Sequence, residues 1–169
     1  MVLNHSDRLL LTTIDKSMSH DIWQNSLDEN NRKFVPDEVF ETLEEANDVI
    51  DFIIESYKGK DGPFIYAVIR KSDNTNLGYV QLVKIPEGWE IGYHIAKMYN
   101  GQGYATEAVN LFLDYLKKEK DIKDIYGIAL YSNKASRRVL QKCGFTTLYE
   151  GNGPYQGKKR KIIKTIKKL

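Results

Sequence analysis

Ten residues constrain this chain more than any others: Tyr99-Asn100-Gly101-Gln102-Gly103-Tyr104-Ala105-Thr106-Glu107-Ala108. They follow an apolar segment, Ile91 to Ala96, and open an amphipathic one, Ala105 to Leu116. Strand, glycine-containing turn and helix, in that order, aim several backbone N–H groups at one point. The first N–H groups of a helix lack an internal partner, and the helix dipole places partial positive charge beside them. Gly101 and Gly103 let a bulky anion reach the main chain. The turn reads as a cradle for a phosphate or pyrophosphate; an ordinary turn leading into a helix is the competing reading. No Gly-Lys-Ser/Thr sequence is present, which disfavours a P-loop, and the three-glycine dinucleotide pattern is missing together with its acidic partner.

Ahead of the turn, Trp89-Glu90-Ile91-Gly92-Tyr93-His94-Ile95 alternates as a strand does. Ile91, Tyr93 and Ile95 share one face; Glu90, Gly92 and His94 share the other, with a potential base at each end and an open position over Gly92 for a slim ligand. A half-exposed strand with a solvated charge is the alternative. Downstream, Asn133 stands where an N-cap belongs, and Ala135, Val139, Leu140 and Cys143 form an apolar stripe before Gly144, a natural C′ residue. Capping by Asn133 is compatible with a ligand contact from the same amide.

These segments, in this order, resemble the GNAT superfamily of acyl-CoA-dependent N-acyltransferases, and within it the branch of the ribosomal-protein N-terminal acetyltransferases. Asn100-Gly101-Gln102-Gly103-Tyr104-Ala105 maps onto the superfamily's pyrophosphate motif, Gln/Arg-x-x-Gly-x-Gly/Ala. The branch signature Gly-x-Gly-Tyr-Ala-Thr-Glu-Ala is complete from Gly101 to Ala108. Asn133, Ser136, Gly144 and Phe145 match the second signature, and Arg8-Leu9-Leu10-Leu11 fits the branch's opening. There are two departures: Asn100 replaces the usual Gln or Arg, and Leu140 stands where many members carry a thiolate-protonating tyrosine. The resemblance passes that role to Ser136.

The resemblance implies an α/β fold: a mixed, mostly antiparallel, strongly twisted sheet flanked by helices, with splayed central strands. It implies direct acetyl transfer from acetyl-CoA, the cosubstrate, to a primary amine in a ternary complex, with no metal. Main chain at Tyr93, His94 and Ile95 would pair with the pantetheine arm. Donors across Gly101, Gln102, Gly103, Tyr104, Ala105 and Thr106 would hold the pyrophosphate, and Asn133 would contact the pantetheine. A main-chain N–H near Ile95 would stabilise the developing oxyanion. Glu90 is the expected base and His94 the alternative, since an unperturbed imidazole titrates nearer neutrality. A non-catalytic acyl-CoA-binding module is the rival from another functional class. The acceptor stays open among peptide α-amine, polyamine, aminoglycoside and amino acid, because Asp15 to Glu41 matches no motif.

Composition agrees with one enzyme-sized domain over residues 1–169, 41% hydrophobic and 28% charged. A domain of this size buries roughly 70% of the surface of its unfolded chain. A net charge of +2 gives no footprint for nucleic acid. One cysteine, Cys143, excludes an internal disulfide and reads as packing, and three scattered histidines have no metal-ligand spacing. Met1 to Asp7 is polar, unlike a signal peptide, and Phe64 to Ile69 is too short to cross a membrane, so a cytoplasmic setting is expected, as monomer or homodimer.

The coarse pass places a first strand at Arg8 to Thr13 and a helical region at Ser17 to Asn31. Thr42-Leu43-Glu44-Glu45 reads as a capping box, with a stripe of Leu43, Ala46, Val49, Ile50, Ile53, Ile54 and Tyr57 behind it and Gly59 closing the helix. Strands follow at Phe64 to Arg70, Leu77 to Lys84, Glu90 to Ile95 and Ile125 to Tyr131. A hairpin of Phe145 to Glu150 and Arg160 to Lys167 turns across Gly151-Asn152-Gly153-Pro154. Lys158 to Leu169 holds seven basic residues and no acidic one, but Ile162, Ile163 and Ile166 mark a strand with one packed face.

Overall fold

The computed structural model describes residues 1–169. Its strands are β1 (Val2–His5), β2 (Leu9–Thr13), β3 (Phe64–Arg70), β4 (Thr75–Ile85), β5 (Gly88–Ile95), β6 (Asp124–Leu130), β7 (Thr146–Tyr155) and β8 (Lys158–Lys168). The helices are α1 (Ser19–Ser26), α2 (Glu29–Phe34), α3 (Leu43–Ser56), α4 (Tyr104–Glu119) and α5 (Lys134–Lys142). All eight strands join one sheet in the order β1-β2-β3-β4-β5-β6-β8-β7. Every neighbouring pair is antiparallel except β5 and β6, which run parallel. The mixed, mostly antiparallel sheet flanked by helices is therefore the architecture expected from the resemblance.

Alternation along the strands sorts the core onto two faces. Leu9, Leu11, Tyr66, Val68, Val80, Leu82, Ile91 and Ile95 pack with the buried stripe of α4, which includes Val109, Phe112 and Leu116. Ala67 and Ile69 point the other way, against Ile50 and Ile53 of α3. Burying a side chain such as Phe112 completely is worth about 1.5–3 kcal/mol, so the larger cluster anchors α4 and, with it, the turn before its N-terminus.

Several local expectations are corrected. Val2–His5 adds a strand ahead of the one expected first, paired to β2 across a short turn. The Ser17–Asn31 region divides where Asp28 caps α2, its carboxylate accepting from the Asn30 N–H at 2.7 Å. Thr42 caps α3 through the Glu45 N–H at 3.2 Å, but the Glu45 carboxylate accepts from the Glu41 N–H, one residue further back than a reciprocal box requires. Leu43, in the first turn, stays exposed, and the helix ends at Ser56, before Gly59.

The closing hairpin is longer than expected. Gly151 to Pro154 lie inside β7, and the turn falls at Gln156 and Gly157, both with positive φ. A two-residue hairpin turn of that kind matches the twist of its strands. On α5, Ala135 is exposed and Val139 only half-buried; Leu140 and Cys143 carry the packing. Ile162 and Ile163, adjacent in β8, are both buried, so this strand is covered on its two faces rather than one. No helix is long and apolar enough to cross a membrane.

Candidate active site

β5 and β6 pair only at Glu90 with Tyr126 and Ile91 with Gly127. Beyond that point β5 stays on β4, Tyr93 opposite Val80 and Ile95 opposite Gly78, while β6 stays on β8 as far as Leu130. The two strands part, and main chain from Gly92 to Ile95 has one edge without a strand partner. Leu140 of α5 packs onto Gly127 at the fork; a Cβ there would lie 2.5 Å from Leu140 Cδ2. The splay expected from the resemblance is present, with α5 bearing on one arm of it.

Past Ile95, a short turn of helix at Lys97–Tyr99 leads to Gly101 and Gly103, with φ of 80° and 79°. Side chains other than glycine resist that left-handed conformation. No side chain caps α4, and the first backbone bond into it runs from the Glu107 N–H to the Gly103 carbonyl, 3.1 Å. Its leading N–H groups are thus free to meet an anion.

Arg8 ties this turn down. Its Nη1 donates to the Gln102 carbonyl at 3.0 Å, its Nε donates to Glu107 Oε2 at 2.8 Å, and its guanidinium lies 4.5 Å from the Tyr104 ring centroid. Ser6 Oγ donates to the other oxygen of Glu107 at 2.5 Å. The β1–β2 turn therefore neutralises a carboxylate that would otherwise compete with an incoming phosphate. Tyr104 is buried, so its side chain belongs to the core.

The fork opens into a cavity of about 330 Å³ lined by Glu38, Gln81, Glu90, Tyr93, His94, Ile95, Asn100, Ala105, Asn133, Ser136 and Tyr155, among others. Glu90 is pushed up to about 7 by burial, with Lys164 pulling it down and Glu87 raising it further. Burial also lifts Glu38 to about 7, against a hydrogen bond from Gln81 Nε2 at 3.3 Å. Tyr155, which lines the cavity with both carboxylates, is raised to about 12 by burial and then by Glu38 and Glu90. Each carboxyl is poised to exchange a proton near neutrality.

The space over Gly92 is not open as expected. Gln81, directly opposite in β4, lies across it, and a Cβ on Gly92 would meet Gln81 Nε2 at 2.5 Å. The glycine accommodates Gln81, which in turn holds Glu38. His94 shares the Glu90 face; burial lowers its pKa, Asp28 Oδ2 lies 4.0 Å from Nε2, and that nitrogen has no protein hydrogen-bond partner. A neutral imidazole in this position can accept a proton.

Across the cavity, Asn133 Oδ1 caps α5 by accepting from the Ser136 N–H at 3.1 Å, which leaves its Nδ2 to another partner. The Tyr93 hydroxyl donates to the Ser136 carbonyl at 2.8 Å and lies 3.0 Å from Ser136 Oγ. Cys143 is buried against the Thr106 carbonyl, and burial raises its thiol to about 11, so it stays protonated. Of the residues singled out from the sequence, Glu90, Tyr93, His94, Ile95, Ala105, Asn133 and Ser136 line the one cavity. Gly101, Gln102, Gly103, Tyr104 and Thr106 form the turn and first helical residues beside it. Glu38, Gln81, Tyr155 and Asp28 were not legible as site residues, because no motif marks their segments.

Comparison with known proteins agrees with this geometry. Residues 8–146 match the family described as the acetyltransferase (GNAT) domain. YjcK of Bacillus subtilis (strain 168), a probable N-acetyltransferase by name, is 37% identical over 90 residues, 51% of this chain and 50% of that protein; the chain's match thus spans half the length of this relative. YnaD of the same organism, an uncharacterized N-acetyltransferase, is 28% identical over 81% of this chain and 78% of its own. RimL, a ribosomal L7/L12 alpha-N-protein acetyltransferase solved in complex with coenzyme A, superposes with a TM-score of 0.85. That match covers 100% of this chain and 98% of the other at 18% identity, a likeness of fold. The fork and the uncapped turn lie within the residues that match this family. The chain belongs to the GNAT acetyltransferase family.

Proposed function

We propose that this chain moves the acetyl group of acetyl-CoA to a primary amine by direct transfer in a ternary complex, in a cytoplasmic setting. One observation carries the reading: an uncapped helix N-terminus, a strand edge freed by the fork and a buried carboxyl titrating near 7 all border one cavity. Acetyl-CoA supplies an activated thioester. The N–H groups from Gly101 to Thr106 hold its pyrophosphate, and Gly101 has no neighbouring atom within 4 Å of a would-be Cβ to obstruct it. The free edge at Tyr93 to Ile95 pairs with the pantetheine arm, Asn133 Nδ2 hydrogen-bonds it, and a main-chain N–H near Ile95 stabilises the oxyanion.

Glu90 takes the proton that the acceptor ammonium must lose before its nitrogen attacks, directly or through water, with His94 the neighbouring alternative. Ser136, its hydroxyl in reach of Tyr93, returns a proton to the departing thiolate. The buried thiol of Cys143 takes no part. The test is a thiol-release assay with acetyl-CoA across a panel of amines, with mass spectrometry of the products. Acetyl-CoA binding without transfer to any amine would replace this reading with a non-catalytic CoA-binding module.

A further inference from the structure

A second cavity, of about 270 Å³, lies on the sheet face under α1 and α3. Glu38, Tyr79, Gln81 and His94 line both this cavity and the one at the fork. Its remaining walls are largely aliphatic and aromatic, from Ile14, Ile22, Val49, Phe52, Ile53 and Ile65. Five buried side-chain polar atoms in the protein have no protein hydrogen-bond partner, and four of them belong to residues lining this cavity: Asn31 Oδ1, Glu38 Oε2, Asn76 Nδ2 and His94 Nε2. Asn31 and Asn76 are 1% and 3% exposed.

Buried polar groups are normally paired, so such a cluster in an apolar pocket marks a place where a ligand completes the bonding. The fixed contacts set the polarity of each amide. Asn31 Nδ2 is directed to the Ser26 carbonyl at 3.3 Å, and Asn76 Oδ1 accepts from the Gly78 N–H at 3.0 Å, so Asn31 offers an acceptor and Asn76 a donor.

We infer that the second cavity seats the body of the acceptor, and that the acceptor is an α-amine next to an amide and bearing an apolar side chain, as in an amino-acid amide or a peptide N-terminus. This rests on the acetyl-transfer reading above for the fate of the amine, not for its binding. The apolar side chain fills the aliphatic walls; the amide carbonyl and N–H satisfy Asn76 and Asn31. The amine lies toward Glu38 and Glu90. A polyamine brings donors only and leaves Asn76 Nδ2 unpaired. An aminoglycoside sets hydroxyls against aliphatic walls, and a free amino acid's carboxylate has no N–H to give Asn31 Oδ1.

The experiment measures kcat/KM with acetyl-CoA, and calorimetric binding to the CoA-loaded protein, for leucinamide, glycinamide, leucine, spermidine, kanamycin and the tripeptide amide Leu-Ala-Ala. Leucinamide should exceed glycinamide, leucine, spermidine and kanamycin at least tenfold in both measurements. The tripeptide arm separates the two sources of this chemistry: equal or better use marks a peptide N-terminus, and at least tenfold poorer use marks a free small molecule. Val49→Phe, checked for folding by its melting temperature, should collapse the leucinamide-to-glycinamide ratio toward one. Leucinamide binding or reacting no better than glycinamide in the unaltered protein overturns the inference, as does a preference for spermidine or kanamycin. Selective leucinamide binding with no acetylation of any amine leaves this cavity's assignment standing and removes the transfer reading instead.

Discussion

The Tyr93 hydroxyl spans the cleft between β5 and α5, 3.0 Å from Ser136 Oγ. The two side chains reach each other because Tyr93 projects to the side of the sheet opposite Glu90, so the proposed base and the proposed acid work from opposite faces of one strand. Tyr93→Phe and Ser136→Ala should each lower kcat by about tenfold, equivalent to about 1.4 kcal/mol, while KM for acetyl-CoA stays within twofold. Because the groups act as a unit, the double variant should lose little more than either single one. Additive losses in a double-mutant cycle would separate Ser136 from Tyr93.

Gly101 and Gly103 share the left-handed conformation, yet they are not equivalent sites for a test. A Cβ on Gly103 would lie 3.6 Å from Arg8, which could partly neutralise an introduced acid, whereas nothing lies near Gly101. Gly101→Asp should weaken CoA binding more than tenfold, over about 1.4 kcal/mol. Gly101→Ala should cost about 1 kcal/mol of stability from backbone strain with a much smaller loss of affinity. Equal affinity losses in the two, by titration calorimetry, would mean that backbone geometry alone matters there.

Arg8 touches no part of the cavity itself, so its contribution is to hold the turn. Arg8→Ala should raise KM for acetyl-CoA several-fold with kcat nearly unchanged. Arg8→Lys should fail to rescue it, because lysine cannot serve Gln102 and Glu107 with a planar fork. A KM restored by lysine would reduce the contact to simple charge.

Glu90→Gln keeps the side chain's shape and removes its basic oxygen. Acetyl-CoA binding should persist while turnover at pH 7 falls on the order of 10²-fold. In the unaltered protein, kcat/KM should climb with pH through about 7 as Glu90 ionises. The defect should shrink at higher pH, sooner for an α-amine titrating near 8 than for a lysine-like amine near about 10.4. Turnover equal to that of the unaltered protein at pH 7 would shift attention to His94→Gln.

The same buried carboxyls should leave a mark on stability. In the native state Glu38 and Glu90 titrate near 7, above the 4.5 of an unburied glutamate, so the folded protein holds protons that the unfolded chain has released. Their contribution is complete below pH 4.5 and is lost as pH rises through about 7. The loss is up to about 3 kcal/mol for each if the shifts are independent. Ligand-free Glu38→Gln and Glu90→Gln should each be more stable than the unaltered protein at pH 8 and gain nothing at pH 4.5. Denaturant melts at the two pH values give the comparison, and a gain that does not vary with pH would point to packing instead.

The cradle was legible because its requirements are local. Two glycines, a preceding apolar strand and a following amphipathic helix all lie within about thirty residues, and each is read from neighbours in sequence. Asn133 was legible for the same reason, since a cap is defined by the helix it begins. Glu38 was not. It sits in the short helical turn Pro36–Glu38, in a segment that carries no motif, and it meets Gln81 of β4 only through the fold. Gly92 misled because an absent side chain leaves room that local reading cannot fill, and β4 filled it with Gln81. The hairpin turn was misplaced because Gly151 and Gly153 resemble turn residues. Yet an added Cβ would strike Tyr149 at the first and Ile162 at the second, so these glycines make room for neighbouring side chains inside β7.

The strand order carries one more consequence, for how the molecule comes together. β8 follows β7 along the chain but lies between β6 and β7 in the sheet. During synthesis β6 therefore emerges with an unsatisfied flank, and its neighbour on that side is made more than twenty residues later. Before the fork, β3, β4 and β5 are joined as consecutive hairpins and can zip as they appear. The half beyond the fork has to wait for its middle member, and non-local pairing of that kind is slow to form. A released chain truncated before Lys158 should then show a protected β3–β5 meander beside a β6 segment still open to proteolysis.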